Sequence, residues 1–379
     1  MVGVKELKIA VTGCGGLLGW HTAGRIHAGI CASNFRNETA VNELVCINKK
    51  TFNTPVKLIE SLNGVDTIIH YAGVNRAADE ILIAENFAIT KQLVDAIYSL
   101  GVDPHIIFAN STHSLVDTPY GNVKRKVAET LKNSVSQFSD VLLPHVFGER
   151  AKPYYNNVTA TLIDKLWLGE DPDINAGGKV QLVHAGEVAM QMIGIANSGE
   201  SVSRTLPSRE ISVTELYTSL CGMHGSYVSN IIPVFEDEFE KNLFNCLRSG
   251  MLDHQLPIAL KMNSDDRGSL FETAKGGRQS QTFLSTTFPG VTRGDHFHLN
   301  KIERFVVVSG EAVIRMRKVL GKEVLEYRVS GEKPTAIDMP PLYTHSIENV
   351  GSETLVTQFW VDEIFDPENP DTYADRVLQ

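Results

Sequence analysis

The chain has 379 residues, 42% hydrophobic and 21% charged, with a formal net charge of −10. Such a length holds two domains with cores of their own, and the acidity gives no support for general affinity to nucleic acid or anionic membranes. The five cysteines, Cys14, Cys31, Cys46, Cys221 and Cys246, are scattered without CxxC spacing, as expected of free thiols in a reducing cytoplasm. No apolar run approaches the roughly 18 residues of a membrane span. The start runs into a strand without a signal-peptide pattern, so a cytoplasmic protein is expected.

Up to about residue 145, strand-like and helix-like segments alternate. Leu7–Val11 is a short apolar run that ends in a glycine-rich turn, and Gly16 to about Ala28 can form a helix. Glu43–Ile47, Thr67–Tyr71 and His105–Phe108 read as buried strands, and Glu85–Leu100 as a helix with Phe87, Leu93, Val94 and Ile97 on one face. The alternation predicts a Rossmann-like, doubly wound parallel sheet covered by helices on both faces. From 145 to 240 the pattern loosens into a small substrate lobe. From Asp265 short strands and Gly/Pro turns take over, among them Arg304–Val308, Ala312–Met316, Leu325–Val329 and Leu355–Trp360. These predict an all-β unit. The fold class is thus α/β plus all-β, with an N-terminal domain over 1–250 and a C-terminal one over 258–379.

Gly13, Gly16 and Gly19 follow a strand and open a helix, together with Leu17 and Leu18. In that context a dinucleotide pyrophosphate meets the helix N-terminus. After the second strand stands Asn48-Lys49-Lys50, with no acidic residue to bind a ribose 2′-hydroxyl. Basic residues there suit a 2′-phosphate, which favours NADPH. Tyr120 and Lys124 share a helical face at i, i+4 spacing. An ammonium beside the phenol favours its phenolate, and Tyr120 would donate a proton to a carbonyl oxygen as hydride arrives at carbon. Ser111 or Thr112 would hydrogen-bond that oxygen. Together these residues resemble the extended short-chain dehydrogenase/reductase family, as do His70-Tyr71-Ala72-Gly73 after the fourth strand and Asn86 in the following helix. The resemblance makes Ala72, Gly73 and Asn86 cofactor contacts. Val123, Pro144-His145 and His184–Glu187 depart from its usual pattern.

In the C-terminal part, His296 and His298 alternate along a predicted strand, and Glu303 and His345 follow at cupin spacing. Three imidazoles and a carboxylate suit Zn, Fe, Mn or Ni, and ligand type alone does not choose among them; zinc is the expected ion. The spacing predicts a cupin (jelly-roll) barrel, with Leu342 where its second motif normally has glycine. Phe305, Val307 and Val313 read as core. Asp266–Glu272 and Gly290–His296 also resemble segments of the dTDP-4-keto-sugar 3,5-epimerases. That resemblance makes Arg267, Glu272 and Arg293 substrate contacts. It gives His296 a second assignment, as the base that removes a proton next to a ketone.

Along nearly its full length the chain resembles the bifunctional capsule and O-antigen enzymes called CapF or WbjC. The resembling segments are Tyr71–Arg76, Pro119–Gly121, Lys152–Val158, Asn263–Gly268, Val306–Gly310 and the tail Phe365–Tyr373. The resemblance implies C3 epimerisation of a UDP-2-acetamido-2,6-dideoxy-4-hexulose in the cupin. NADPH-dependent C4 reduction would follow, on the route to UDP-N-acetyl-L-fucosamine. It further implies a homodimer. Arg150 and Asn156, in the irregular lobe, are candidate UDP contacts. Two other readings remain: a UDP-sugar 4-ketoreductase whose cupin only dimerises and stabilises, and a non-catalytic NADP or sugar sensor.

Overall fold

The computed structural model describes residues 6–175, 177–254, 256–265, 268–271, 273–276 and 280–379; for 262–265 and 268–271 only the backbone is described. Two compact units form, Met1–Thr161 with Ile174–Val213, and Leu162–Asp173 with Thr214–Gln379.

In the first unit the chain runs β1 (Leu7–Thr12), α1 (Leu17–Arg36), β2 (Asn42–Ile47), α2 (Lys49–Phe52), α3 (Pro55–Leu62), β3 (Thr67–His70), α4 (Asp79–Leu100), β4 (His105–Ser111), α5 (Pro119–Lys132) and β5 (Phe138–Leu143). It continues through β6 (His145–Phe147), α6 (Val158–Leu168), whose residues from Leu162 on belong to the second unit, β7 (Lys179–His184), α7 (Ala185–Ser198), β8 (Ser203–Thr205) and β9 (Arg209–Ser212). Six parallel strands lie in the order β2-β1-β3-β4-β5-β8. Continuous apolar runs suit the inner strands because both of their faces are covered, whereas β8 is an exposed polar edge. Ala10, Ile68 and Ile106 pack among residues of α3, α4 and α5. Their chain neighbours Ile9, Ile69 and Ile107 pack with Ile26 of α1 and Val188 and Met192 of α7.

His70 ends the third strand in chain order, not the fourth, because residues after β2 form α2 and α3 before β3 returns beside β1. The strand order reverses between β1 and β3. Ligands of open α/β sheets bind at such a switch point, beyond the carboxyl ends of the strands. The irregular stretch after β5 contains a small sheet, β6-β7-β9.

The second unit contains α8 (Val213–Val228), β10 (Ile231–Ile232), α9 (Glu238–Gly250), β11 (Ile258–Ala259), β12 (Met262–Asp265), β13 (Gly268–Phe271), β14 (Lys275–Gly276), β15 (Gln281–Thr287) and β16 (Thr292–Phe297). Then come β17 (Glu303–Ser309), β18 (Glu311–Lys318), β19 (Val324–Ser330), β20 (Thr335–Met339), β21 (Tyr343–Asn349), β22 (Leu355–Val361) and β23 (Tyr373–Ala374). Two antiparallel five-stranded sheets result, β11-β20-β17-β22-β15 and β19-β18-β21-β16-β23. Phe305, Val307 and Val313 are buried core residues.

Residues 214–250, placed by the sequence reading in the first domain, pack in the second unit. Buried polar bonds hold them there. The Tyr227 hydroxyl donates to Asp338, and Arg248 donates to the Met339 carbonyl at 3.0 Å. Asp338 also receives a two-pronged bond from Arg304, at 2.6 and 3.0 Å. Both members are nearly inaccessible, with 1% and 2% exposure. Such a pair specifies geometry, and removing one partner strands a buried charge.

Candidate active sites

The glycine turn is set by backbone. Gly13 takes φ +69°, and a Cβ there would lie 3.1 Å from the Ala72 nitrogen. A Cβ on Gly19 would lie 2.2 Å from the Gly13 oxygen. Both positions therefore require glycine. Gly16 caps α1 without a side-chain acceptor, and the first turn holds no acidic residue. That leaves helix N–H groups and a positive dipole end facing the switch point, a site suited to a pyrophosphate.

Thr12 ties the turn to the next strand. Its hydroxyl accepts from the N–H groups of Tyr71 and Ala72 at 3.1 and 3.2 Å and contacts His70 Nδ1 at 2.8 Å. Asn86, buried in α4, braces the loop that holds Ala72 and Gly73. Its amide accepts from Val74 N–H and donates to the Val74 carbonyl at 3.1 and 2.8 Å. Lys49 and Lys50 are exposed at the start of α2, capped by Asn48.

Helix α5 begins at Pro119 with Thr118 as its cap, accepting from Gly121 N–H. Lys124 Nζ donates to the Ala109 carbonyl at 2.9 Å and lies 4.3 Å above the Phe108 ring. Burial lowers its pKa to about 8, opposed by the charge of Asp140. Burial raises the Tyr120 phenol above its ordinary value. This differs from the expected shift toward phenolate, because desolvation dominates while the Lys124 ammonium is engaged with β4. A raised phenol stays protonated, the state a proton donor needs. At the end of β4, Ser111 Oγ accepts from His113 N–H at 3.2 Å, which leaves its own proton to donate. The Thr112 hydroxyl is directed at the Leu143 carbonyl at 3.4 Å. Ser111 is thus the better placed of the two to hold a carbonyl oxygen.

Between Glu149 and Asn157 the sequence reading singled out Arg150 and Asn156. Both take left-handed backbone, as does Tyr154, with φ of 63°, 50° and 59°. Asn156 Nδ2 donates to the Asn75 carbonyl at 3.0 Å, and Arg76 donates to the Tyr154 carbonyl. Arg76 and Tyr154 were not picked as site residues. None of the three is glycine, and only Asn156 is of a residue type that readily takes this conformation, so Arg150 and Tyr154 carry no local sequence signal for it.

In the second unit His296, His298, Glu303 and His345 converge, one donor atom from each lying within 4.8 Å of the others. His296, the penultimate residue of β16, lies directly opposite His345 of β21, after a bulge between Gly294 and His296. His298 lies just beyond the strand rather than within it, and Glu303 begins β17 in the other sheet. Glu303 Oε2 is 3.0 Å from His298 Nε2 and 3.1 Å from His345 Nε2.

The ring orientations test whether these residues suit a metal. His298 Nδ1 faces the Asp371 carbonyl at 2.6 Å, and His345 Nδ1 faces the Tyr343 carbonyl at 3.0 Å. A carbonyl only accepts, so both Nδ1 atoms carry protons and both Nε2 lone pairs point inward. Two lone pairs beside a carboxylate require a positive charge among them, either a proton or a cation. Hydrogen-bonded outer nitrogens are the arrangement of metal-bound histidines, so the set suits a divalent metal.

Burial opposes protonation of His298, but its hydrogen bond and attraction to Glu303 raise its pKa overall. Burial also favours the neutral form of Glu303, yet the bonds from His298 and His345 hold its pKa well below the ordinary range. His296 is driven to about 3 by burial and by the neighbouring histidines. It is the one member of the four that is not fully buried.

Leu342, in place of the usual cupin glycine, keeps the glycine conformation at φ 60°, and its N–H bonds the His298 carbonyl at 2.8 Å. Arg293 bonds Thr287 Oγ1 and the Thr286 carbonyl at 3.2 and 3.1 Å. Arg267 and Glu272 lie outside the described residues.

A second cluster, His21, Glu149 and His184, is buried in the first unit. His184 Nε2 is 2.9 Å from Glu149 Oε2. There Gly186 N–H donates to His184 Nδ1 at 3.3 Å. The proton must then sit on Nε2, shared with Glu149, where a metal would need a lone pair. This cluster is a hydrogen-bonded brace. Among the described residues no helix is long and apolar enough to cross a membrane.

Residues 263–373 match the family described as Polysaccharide biosynthesis C-terminal domain. The chain is 30% identical to the UDP-2-acetamido-2,6-beta-L-arabino-hexul-4-ose reductase of Pseudomonas aeruginosa, over 98% of this chain and 99% of that one. It is similar to the crystal structure of capsular polysaccharide assembling protein CapF from Staphylococcus aureus. There the identity is 29%, the TM-score 0.55, and the match covers 98% of this chain and 100% of that one. The UDP-N-acetylglucosamine 4-epimerase of Methanobrevibacter ruminantium shares the fold at 17% identity and a TM-score of 0.53, over 66% of this chain and 99% of its own.

Proposed function

The chain belongs to the family of CapF and of the UDP-2-acetamido-2,6-β-L-arabino-hexul-4-ose reductase, and from that membership we propose a bifunctional nucleotide-sugar enzyme. The second unit epimerises C3 of a UDP-activated 2-acetamido-2,6-dideoxy-4-hexulose. The first unit then reduces the C4 ketone with NADPH to UDP-2-acetamido-2,6-dideoxy-β-L-talose, on the route to UDP-N-acetyl-L-fucosamine. The observation that carries the reductase is α5, which sets Tyr120 one turn before a half-buried Lys124 bonded to the end of β4. The proposal includes a homodimeric, cytoplasmic enzyme.

In the reduction NADPH supplies hydride. Gly13, Gly16, Leu17, Leu18 and Gly19 shape its pyrophosphate turn, Ala72, Gly73 and Asn86 line the switch point, and Lys49 and Lys50 face its 2′-phosphate. Tyr120 gives its proton to the C4 oxygen, Ser111 orients that oxygen, and Lys124 holds coenzyme hydroxyls with its ammonium. Arg76, Arg150 and Asn156 bound the UDP side.

In the epimerisation a C4 ketone acidifies the C3 proton, so this step precedes reduction, which removes the ketone. His298, Glu303 and His345 hold a divalent metal, zinc in our reading, whose charge favours loss of that proton. His296 is neutral and partly open, so it serves either as the fourth ligand or as the base that takes the proton. Arg293, with Arg267 and Glu272, belongs on the substrate side. A purely structural metal is the competing reading, favoured by the burial of His298, Glu303 and His345 at 2%, 6% and 0% exposure.

NADPH deuterated at the transferred position, supplied with the UDP-4-hexulose, tests the reductase. Deuterium should appear at sugar C4, and Tyr120→Phe should stop coenzyme oxidation. Unchanged turnover in Tyr120→Phe would remove Tyr120 from its role.

A further inference from the structure

We propose that Cys14 and Cys46 form a reversible disulfide that closes the coenzyme end of the first unit. The closing role rests on the reading of the Gly13–Gly19 turn as the dinucleotide site. Strands β1 and β2 are parallel neighbours with Val11 opposite Cys46 and Thr12 opposite Ile47. The chain then turns, and the N–H groups of Gly13 and Cys14 both approach the Ile47 carbonyl, at 2.9 and 3.5 Å. Backbone thus holds Cys14 beside the residue that follows Cys46.

The side chains share a face as well. Cys14 packs in the cluster that contains Leu44. Cys46, two residues further along β2, points to the same side. Ile47 packs on the opposite face. The two thiols interact directly, and Cys14 is partly exposed and Cys46 exposed. Cys31 and Cys246, by contrast, are buried.

Cys14 is the attacking thiol. It precedes the uncapped N-terminus of α1, whose dipole favours a thiolate, and the hydrogen bond from Cys46 lowers its pKa further. The oxidant is a small disulfide such as glutathione disulfide. Cys14 sulfur attacks one sulfur of the oxidant, whose S–S bond breaks and releases a glutathione thiolate. Cys46 gives its proton to that thiolate and attacks the Cys14 sulfur, releasing the second glutathione, which takes the proton lost by Cys14. Two protein thiols are oxidised to one disulfide, and one glutathione disulfide is reduced to two thiols. The new bond ties the pyrophosphate turn to the end of β2, just before Lys49 and Lys50, where the adenosine end of the coenzyme would enter.

The test uses the full chain, reduced or treated with glutathione disulfide. Unreduced peptides are mapped by mass spectrometry, and NADPH binding is followed by fluorescence. The proposal predicts a Cys14–Cys46 cross-link lighter by two hydrogens, with NADPH binding lost on oxidation and restored by dithiothreitol. Cys46→Ser should bind NADPH when reduced and, under the oxidant, stop at a mixed disulfide of Cys14 with glutathione, with no internal cross-link. Oxidation that leaves these two thiols unlinked, or a link that leaves NADPH binding intact, overturns it. Reduced protein that takes up no NADPH overturns the coenzyme reading instead, and the closing role with it, while the peptide map still decides the disulfide.

Discussion

Replacing Lys124 with methionine should make the protein more stable and far less active. Its pKa falls from 10.5 to about 8 because the ammonium is drawn out of water. One unit is about 1.4 kcal/mol, so the full shift corresponds to about 3 kcal/mol. The side chain keeps partial contact with solvent, and screening reduces this to about 2 kcal/mol. Methionine also leaves the Ala109 carbonyl without its 2.9 Å bond, a loss of about 1 kcal/mol. The net expectation at pH 7 is a gain of about 1 kcal/mol, a rise of roughly 2–4 °C in the unfolding midpoint. The sign follows from proton binding. With the folded pKa below the unfolded one, the unfolded chain binds more protons between about 8 and 10.5, and wild-type stability rises with pH there. The advantage of Lys124→Met should therefore be whole below pH 8 and shrink as pH climbs through that window. Thermal unfolding at stepped pH measures it, beside NADPH oxidation, which should drop about a hundredfold or more. A variant less stable than wild type at pH 7, or a difference that ignores pH, would refute the reasoning.

Asp338→Ala strands the buried Arg304 guanidinium and should destabilise the second unit by about 3–5 kcal/mol; calorimetry showing a change under about 1 kcal/mol would contradict this. Gly19→Ala places a carbon 2.2 Å from the Gly13 oxygen and should abolish NADPH binding by fluorescence titration; retained affinity would mean that the turn yields without consequence. His298→Ala should lower bound metal, measured by elemental analysis, and slow C3 exchange while a pre-epimerised ketone is still reduced. Full metal content in that variant would remove His298 from the ligand set.

Much of this architecture was legible because its signals are local. Buried parallel strands show as unbroken apolar runs, Gly13 and Gly19 occupy positions no side chain fits, and His296, His298, Glu303 and His345 keep cupin spacing. What was not legible depends on distant partners. The placement of 214–250 follows from Tyr227 and Arg248 meeting Asp338 and Met339, bonds no window of sequence displays. Leu342 shows a left-handed backbone held without glycine, so the residue type alone was misleading there. The state of Tyr120 turned on the depth of its burial, and the shared face of Cys14 and Cys46 on strand register. Arg267 and Glu272 carry sequence expectations only.

The most direct test of the bifunctional account is the C3 proton itself. The protein is incubated with the UDP-4-hexulose in D2O without NADPH, and that proton is followed by NMR. The account predicts loss of the signal in the intact chain and a much slower loss in His298→Ala. A C3 proton that stays in place, while added NADPH is still oxidised, would contradict it and leave a one-step reductase with a structural β-unit.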